Sequence, residues 1–247
     1  MKQKYRRIFS FGKTLLLPLI CSGAIPILAQ TTELPTETEK NTLNSEQETS
    51  LTEKQLTSLL KQAGAEIQSI QCAFTQTKKL SILEEPLLSH GNFYLLRQGD
   101  ETQISLEYSE PAGNRILLTP KKLYIQNSTG NQTLSGSSHP MFRYLETLFA
   151  ACLTGELKDL IRKTDTEYLQ TPHSYKLILC PTSSSLKKRI NLMKLEFDKT
   201  SLLLETLYIE TADGDSVLYE FSDKITNQPI DGKHFIIQNE KSSLHNQ

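Results

Sequence analysis

The residue types that carry catalysis are present in this chain but nowhere assembled. His90, His139, His173, His234 and His245 are scattered, and no HxxxH, HxH or CxxC spacing gathers ligands for a metal. Glu84 with Glu85, and Asp213 with Asp215, fall in turn-forming stretches where hairpin chemistry accounts for paired acids. No GxSxG elbow and no phosphate-cradling glycine loop occurs. The Leu186-Lys-Lys-Arg189 run reads as the solvated start of a strand rather than a binding patch. The expectation is therefore a protein that is not an enzyme and needs no metal or cofactor. What does recur is apolar side chains at a period of two, the pattern of a half-buried strand face. The sets are Cys72 and Phe74; Phe93 and Leu95, with Arg97 on the same side; Ile104, Leu106 and Tyr108; Met193, Leu195 and Phe197; and Val217, Tyr219 and Phe221. Gathered on one surface, they could bind hydrocarbon.

The elements needed to gather them can be read from the same pattern. Alternating segments at 67–80, 88–98, 102–109, 114–119 and 121–127 are separated by RQGDE, SEPAGN and NSTGN, which carry turn chemistry. Strands are expected again at 174–180, 189–198, 201–211, 215–223 and 233–238, with DKTS and ADGD as hairpin turns. Such spacing leaves no room for crossover helices and implies an antiparallel meander. Leu51, Leu56, Leu59, Leu60 and Ala63 share one face of an opening helix that Gly64 should end. A second helical insert is expected where Met141, Phe142, Leu145, Leu148, Phe149 and Cys152 recur at helical spacing, from Pro140 to Gly155, with a turn or two following near 156–162. The fold class is mainly β with α. About ten strands must curl, because each pair twists by roughly 20 to 25 degrees. The concave face should be incompletely filled by helices, leaving a cavity.

The chain ends are read separately. MKQKYRRIFSFGK carries five cations and is followed by the apolar run TLLLPLICSGAIPILA, the layout of a cleavable secretory signal over 1–29. Cys21 would be a lipidation site if a small residue preceded it, but Ile20 does. Residues 30–50 are a polar, Thr- and Glu-rich leader expected to be disordered, 51–240 form the domain, and 241–247 are a tail. With 27 Lys plus Arg against 28 Asp plus Glu, no long-range field recruits nucleic acid. Cys72, Cys152 and Cys180 allow at most one internal disulfide, which the sequence cannot pair. A monomer is expected.

The order of these pieces resembles that of the outer-membrane lipoprotein carrier (LolA) family. SIQCAFTQ, GNFYLLR, ISLEYSEP, RILLTPKKLYIQN and ETADGDSVLYEFSDKITNQPIDGKHFII are similar to successive strands of that family, with the helical insert in its place. The chain departs from it where Gln98 follows Arg97, where Leu106 stands for a common Trp, and where Pro120-Lys121 stand for Asp-Gly. The resemblance implies a curved, unclosed antiparallel β half-barrel whose helices form a lid over an apolar cavity. It also implies a periplasmic chaperone that carries acylated lipoproteins from an inner-membrane lipoprotein-releasing transporter to an outer-membrane lipoprotein acceptor. An anchored acceptor of the same fold, or a periplasmic sensor of mislocalised lipoproteins, is the alternative. The cavity would be lined by Phe74, Phe93, Leu95, Ile104, Leu106, Tyr108, Met193, Leu195, Phe197, Val217, Tyr219 and Phe221, with Phe142, Leu145 and Phe149 in the lid. Arg97 would latch the lid by donating to helix-end carbonyls. A buried acyl chain gains about 0.8 kcal/mol per methylene, on the order of 12 kcal/mol for about sixteen carbons, so a carrier needs an opposing cost if it is to release.

Overall fold

The first ordered element follows from its cap. Thr52 accepts from the Gln55 backbone N–H while the Gln55 side chain accepts from the Thr52 N–H, a reciprocal capping box that starts helix α1 (Glu53–Ala65). Leu56 and Leu60 are its buried stripe. Gly64 lies inside the helix, not after it, and Glu66 is the C-cap. The computed structural model describes residues 51–99, 101–127, 130–135, 148–149, 151 and 155–236.

Eleven strands follow: β1 (Ser69–Lys79), β2 (Leu87–Gln98), β3 (Glu101–Glu110), β4 (Arg115–Leu118), β5 (Lys122–Asn127), β6 (Gly130–Ser135), β7 (Thr164–Gln170), β8 (Ser174–Pro181), β9 (Ile190–Asp198), β10 (Leu204–Thr211) and β11 (Ser216–Thr226). They make one antiparallel sheet in the order β6-β5-β4-β3-β2-β1-β11-β10-β9-β8-β7. Consecutive strands pair as hairpins, β1 pairs with β11 at the centre, and the sheet ends on β6 and β7 without closing. These two edges are consecutive in the chain, so residues 136–163 connect one rim of the half-barrel to the other. Within that connection Leu148, Phe149 and Ala151 are helical, and one-turn helix α2 (Lys158–Ile161) precedes β7.

Four expectations need correction. There are eleven strands rather than about ten, because β6 and β7 were not anticipated. The segment expected as a strand from 233 forms a 3₁₀ turn, Gly232–Phe235, capped by the Asp231 carboxylate, which accepts from the Lys233 N–H. Both flanks of β11 are already taken, by β1 and β10, so no adjacent sheet edge is left for it. Leu186 and Lys187 belong to a one-turn helix α3 (Ser184–Lys187) ahead of β9 rather than to the strand itself. The opening helix runs on through Gly64.

Period two is obeyed across the sheet. The register sets Phe93 opposite Cys72 and Leu106, Leu195 opposite Leu177 and Leu207, and Tyr219 opposite Gln76 and Leu207, so the predicted apolar sets share one face. Gly91 of β2 lies between Phe74 of β1 and Tyr108 of β3, and the Phe74 ring lies over it. A Cβ there would stand 2.3 Å from the Glu107 carbonyl oxygen and 2.7 Å from the Phe74 ring. The backbone cannot yield without breaking the β2–β3 ladder. Gly91→Ala is therefore expected to destabilise the fold by about 1–3 kcal/mol through overpacking, seen as a lower urea midpoint with an unchanged slope. An unchanged midpoint would mean that Phe74 is free to move aside.

Candidate functional site

All twelve residues expected to line the concave face are buried, none more than 8% exposed, and all belong to one apolar cluster. Five of them form an aromatic row. Phe74 packs edge-on against Tyr108 with centroids 5.1 Å apart and tilts against Tyr219 at 6.0 Å, Tyr219 stacks on Phe221 at 6.2 Å, and Phe221 meets Phe93 edge-on at 5.7 Å. The cluster also includes residues the alternation argument passed over, among them Ile70, Leu118, Leu123, Ile125, Leu177 and Ile209. Ile70, Leu118, Leu177 and Ile209 stand in register beside Leu95, Ile104, Leu195 and Met193, and Leu123 and Ile125 lie one strand further out, opposite Leu118 and Ile116, so following the pairing from hairpin to hairpin would have found them.

Helical residues cover this face. Leu56 and Leu60 of α1 join the cluster, as do Leu148, Phe149, Ala151, Leu157 and Leu160 from the connection between the rims. Phe149 is thus packed on the concave face, 7% exposed. Phe142 and Leu145, the other two lid residues, lie outside the described residues, as does Cys152. Gly155 makes the two covering pieces meet. With φ +67° it approaches α1 so closely that a Cβ would lie 2.0 Å from the Leu60 carbonyl oxygen.

Polar contacts that fasten α1 to the sheet lie at its ends. At the C-terminal end the Arg97 guanidinium donates to the Gly64 carbonyl at 3.3 Å, and the Arg97 N–H donates to the Gln68 carbonyl at 2.8 Å. The expected acceptor type, a helix-end carbonyl, is present, and it belongs to α1 rather than to the insert. Asn227 completes this end: its side-chain oxygen accepts from the Gln68 N–H at 2.8 Å and its amide donates to the Glu66 carbonyl at 3.0 Å. At the N-terminal end the Leu51 N–H donates to the Gln170 side chain at 3.3 Å. Tyr168 of β7 lies against Glu53 and Thr57, and burial with the Glu53 carboxylate beside it pushes its phenol up to about 12. The helix therefore spans from the β7 rim to the ends of β1, β2 and β11.

Two features break the apolar face. Gln76, on the inward row of β1, is buried and donates through its amide nitrogen to the Tyr108 hydroxyl at 3.1 Å and to the Tyr219 hydroxyl. Burial raises both phenols, Tyr108 well above the ordinary range. Lys78, two residues on, is buried too. The other feature is a crevice of about 10 Å³ lined by Ile70, Cys72, Leu203, Leu204, Phe221 and Lys224, room for about one water. Cys72 has a free thiol that burial pushes up to about 12, and Cys180 is free and exposed. Among the described residues no group of three or more His, Cys, Asp or Glu could hold a metal ion, and no helix is long and apolar enough to cross a membrane.

Comparisons with known proteins bear on this arrangement. The family model described as "Outer membrane lipoprotein carrier protein LolA" matches residues 65–238. No curated protein matches the chain by sequence. Among solved structures, the Pseudomonas aeruginosa MucA/MucB complex matches with TM-score 0.48 at 12% identity over 74% of this chain and 60% of that one. Mycobacterium tuberculosis lipoprotein LppX gives 0.41 at 13% identity over 73% and 99%, and a LolA superfamily protein of Nitrosomonas europaea gives 0.36 at 10% over 76% and 99%. The family match begins in the last residue of α1, runs through every strand of the sheet and ends just past the 3₁₀ turn, and on that ground the chain belongs to the LolA family of outer-membrane lipoprotein carriers.

Proposed function

We propose that the protein is a periplasmic carrier that takes the acyl chains of lipoproteins onto its concave face and moves them from an inner-membrane releasing transporter to an outer-membrane acceptor. It acts by binding alone, without catalysis. The observation that carries this reading is the covered apolar face: twelve predicted lining residues in one cluster, beneath apolar residues of α1 and of the connection between the rims. An acyl chain can occupy that face only by displacing those pieces. The gain of about 0.8 kcal/mol per methylene is then partly offset by the apolar contacts the cover loses. Such an offset makes release feasible.

Arg97 sets part of the offset. A hydrogen bond from a charged donor is worth about 1.5–3 kcal/mol net, and this one, at 3.3 Å and partly exposed, belongs at the low end. Its loss on opening favours the closed, empty state and therefore hand-off. Arg97→Leu is expected to bind acylated lipoprotein at least as tightly as the parent and to pass it to an acceptor about tenfold more slowly. Normal transfer by this variant would remove the latch role. In cells, depletion should leave lipoproteins in the inner membrane, and their normal sorting would sink the carrier reading.

Cys72 reports the opening directly. The thiolate is the reactive form, and a thiol raised to about 12 is almost wholly protonated at pH 8. Peptide-level mass spectrometry after brief alkylation at that pH should find Cys180 modified and Cys72 spared. Gly155→Ala, which cannot keep its approach to Leu60, should speed Cys72 modification several-fold. Equal rates in parent and variant would show that the Gly155 contact does not govern the cover.

A further inference from the structure

We infer that the crevice between β1, β11 and the β9–β10 turn is a binding site for the carboxylate end of a long-chain fatty acid, with Lys224 as its counter-ion. This rests partly on the carrier reading, since the alkyl chain would run onto the same concave face.

The argument begins with a bulge. Gln71 pairs with Ile225 and Ala73 with Ser222, so Cys72 stands across from two residues, Asp223 and Lys224. Val217, Tyr219 and Phe221 point inward, and regular alternation would bring Asp223 inward next. The bulge shifts the alternation by one. Asp223 takes φ +52°, a left-handed conformation that Asp tolerates better than most residues, and is left exposed, while Lys224 turns in to line the crevice with Ile70, Cys72 and Phe221. A bulge that re-aims one side chain is a common device beside binding sites.

Here the re-aimed side chain is a cation at the mouth of an apolar crevice. Lys224 is half-buried and makes no ion pair or hydrogen bond among the described residues. The nearby Asp198 carboxylate attracts Lys224 electrostatically but takes its hydrogen bonds from its own turn, its Oδ1 accepting from the Ser201 N–H at 2.6 Å, the Ser201 hydroxyl at 2.7 Å and the Thr200 N–H at 3.2 Å. The acyl chains of a lipoprotein are joined through uncharged ester or amide groups and would leave this ammonium without a hydrogen-bonded counter-ion as they covered it. A carboxylate on a single alkyl chain would give it one. The crevice is narrow, which favours one chain over two, and it must widen to admit even that.

The test displaces a bound fluorescent fatty acid analogue from the full chain at pH 8 with dodecanoate or with dodecanol, which differ at the head group alone. The parent should bind dodecanoate at least fivefold more tightly than dodecanol. Lys224→Gln should remove that preference while leaving dodecanol unchanged, and Lys224→Arg should keep most of it. Equal affinity of the parent for the two ligands, or a preference that survives in Lys224→Gln, overturns the site and leaves the carrier reading standing. If neither ligand displaces the probe and acylated lipoprotein also fails to, both readings fall. Tighter, equally Lys224-dependent binding of a diacyl phosphatidylglycerol would overturn the assignment to a single-chain carboxylate.

Discussion

The concave face of the sheet must be kept from water, and the sheet cannot do this alone. Eleven strands curl without closing, so one surface rich in Leu, Ile, Phe and Tyr faces an opening between β6 and β7. A closed barrel would solve the problem with side chains from opposite strands. This chain solves it with α1, which precedes the sheet, and with the segment that connects its two rims. Because β6 and β7 are successive strands, the connection between them runs from one rim to the other, and its residues Leu148, Phe149, Ala151, Leu157 and Leu160 become part of the cover. Topology and covering are the same fact.

A cover made of separate helical pieces differs physically from a core. Burial of Leu56 and Leu60 stabilises the closed form by hydrophobic transfer, but an alkyl chain offers the same apolar face an equivalent surface. The exchange is near balance in its apolar part, and polar contacts that exist only in the closed state then decide its direction. Such contacts cluster at the ends of α1, around Arg97, Gly64, Gln68 and Asn227 at one end and Leu51 and Gln170 at the other. Their modest individual strength is what the proposed carrier role would require of a cover that opens.

How much of this the sequence disclosed depended on burial. Strands with one apolar face, such as Gln103–Tyr108 and Asn191–Phe197, announce themselves because every second residue must leave water. The rims do not. In β7 the sequence TDTEYLQ alternates only in partial burial, and β6 reads GNQTLS, since an edge strand packs less and tolerates polar residues on both faces. The opposite error occurred at Lys233-His-Phe-Ile236, where strand-like composition met a site with no free sheet edge and a cap at Asp231. Arg97 was legible as a cation on an apolar row, but not the identity of its acceptor, which depends on where α1 ends. Lys224 was not legible at all, because alternation counted from Val217 places it on the wrong face and only the bulge at Asp223 corrects the count.

The convex side shows why opening need not involve the sheet. There Arg115 ion-pairs with Glu107 at 3.1 Å and donates to the Ser105 hydroxyl and to the carbonyls of Lys233, His234 and Ile236. The His234 ring stacks on Tyr94 with centroids 3.9 Å apart and bonds the other oxygen of Glu107. One guanidinium thus ties the chain after β11 to strands β3 and β4, and the His234 ring ties the same segment to β2. Groups that multiply connected move together or not at all. The ties of α1 to the sheet lie at its two ends, and α1 meets the connection between the rims at Gly155 by close approach. On the carrier reading proposed above, a ligand entering from the concave side would displace the helices rather than the sheet, and the sheet that presents the aromatic row would stay as it is while the cover exchanged places with an acyl chain.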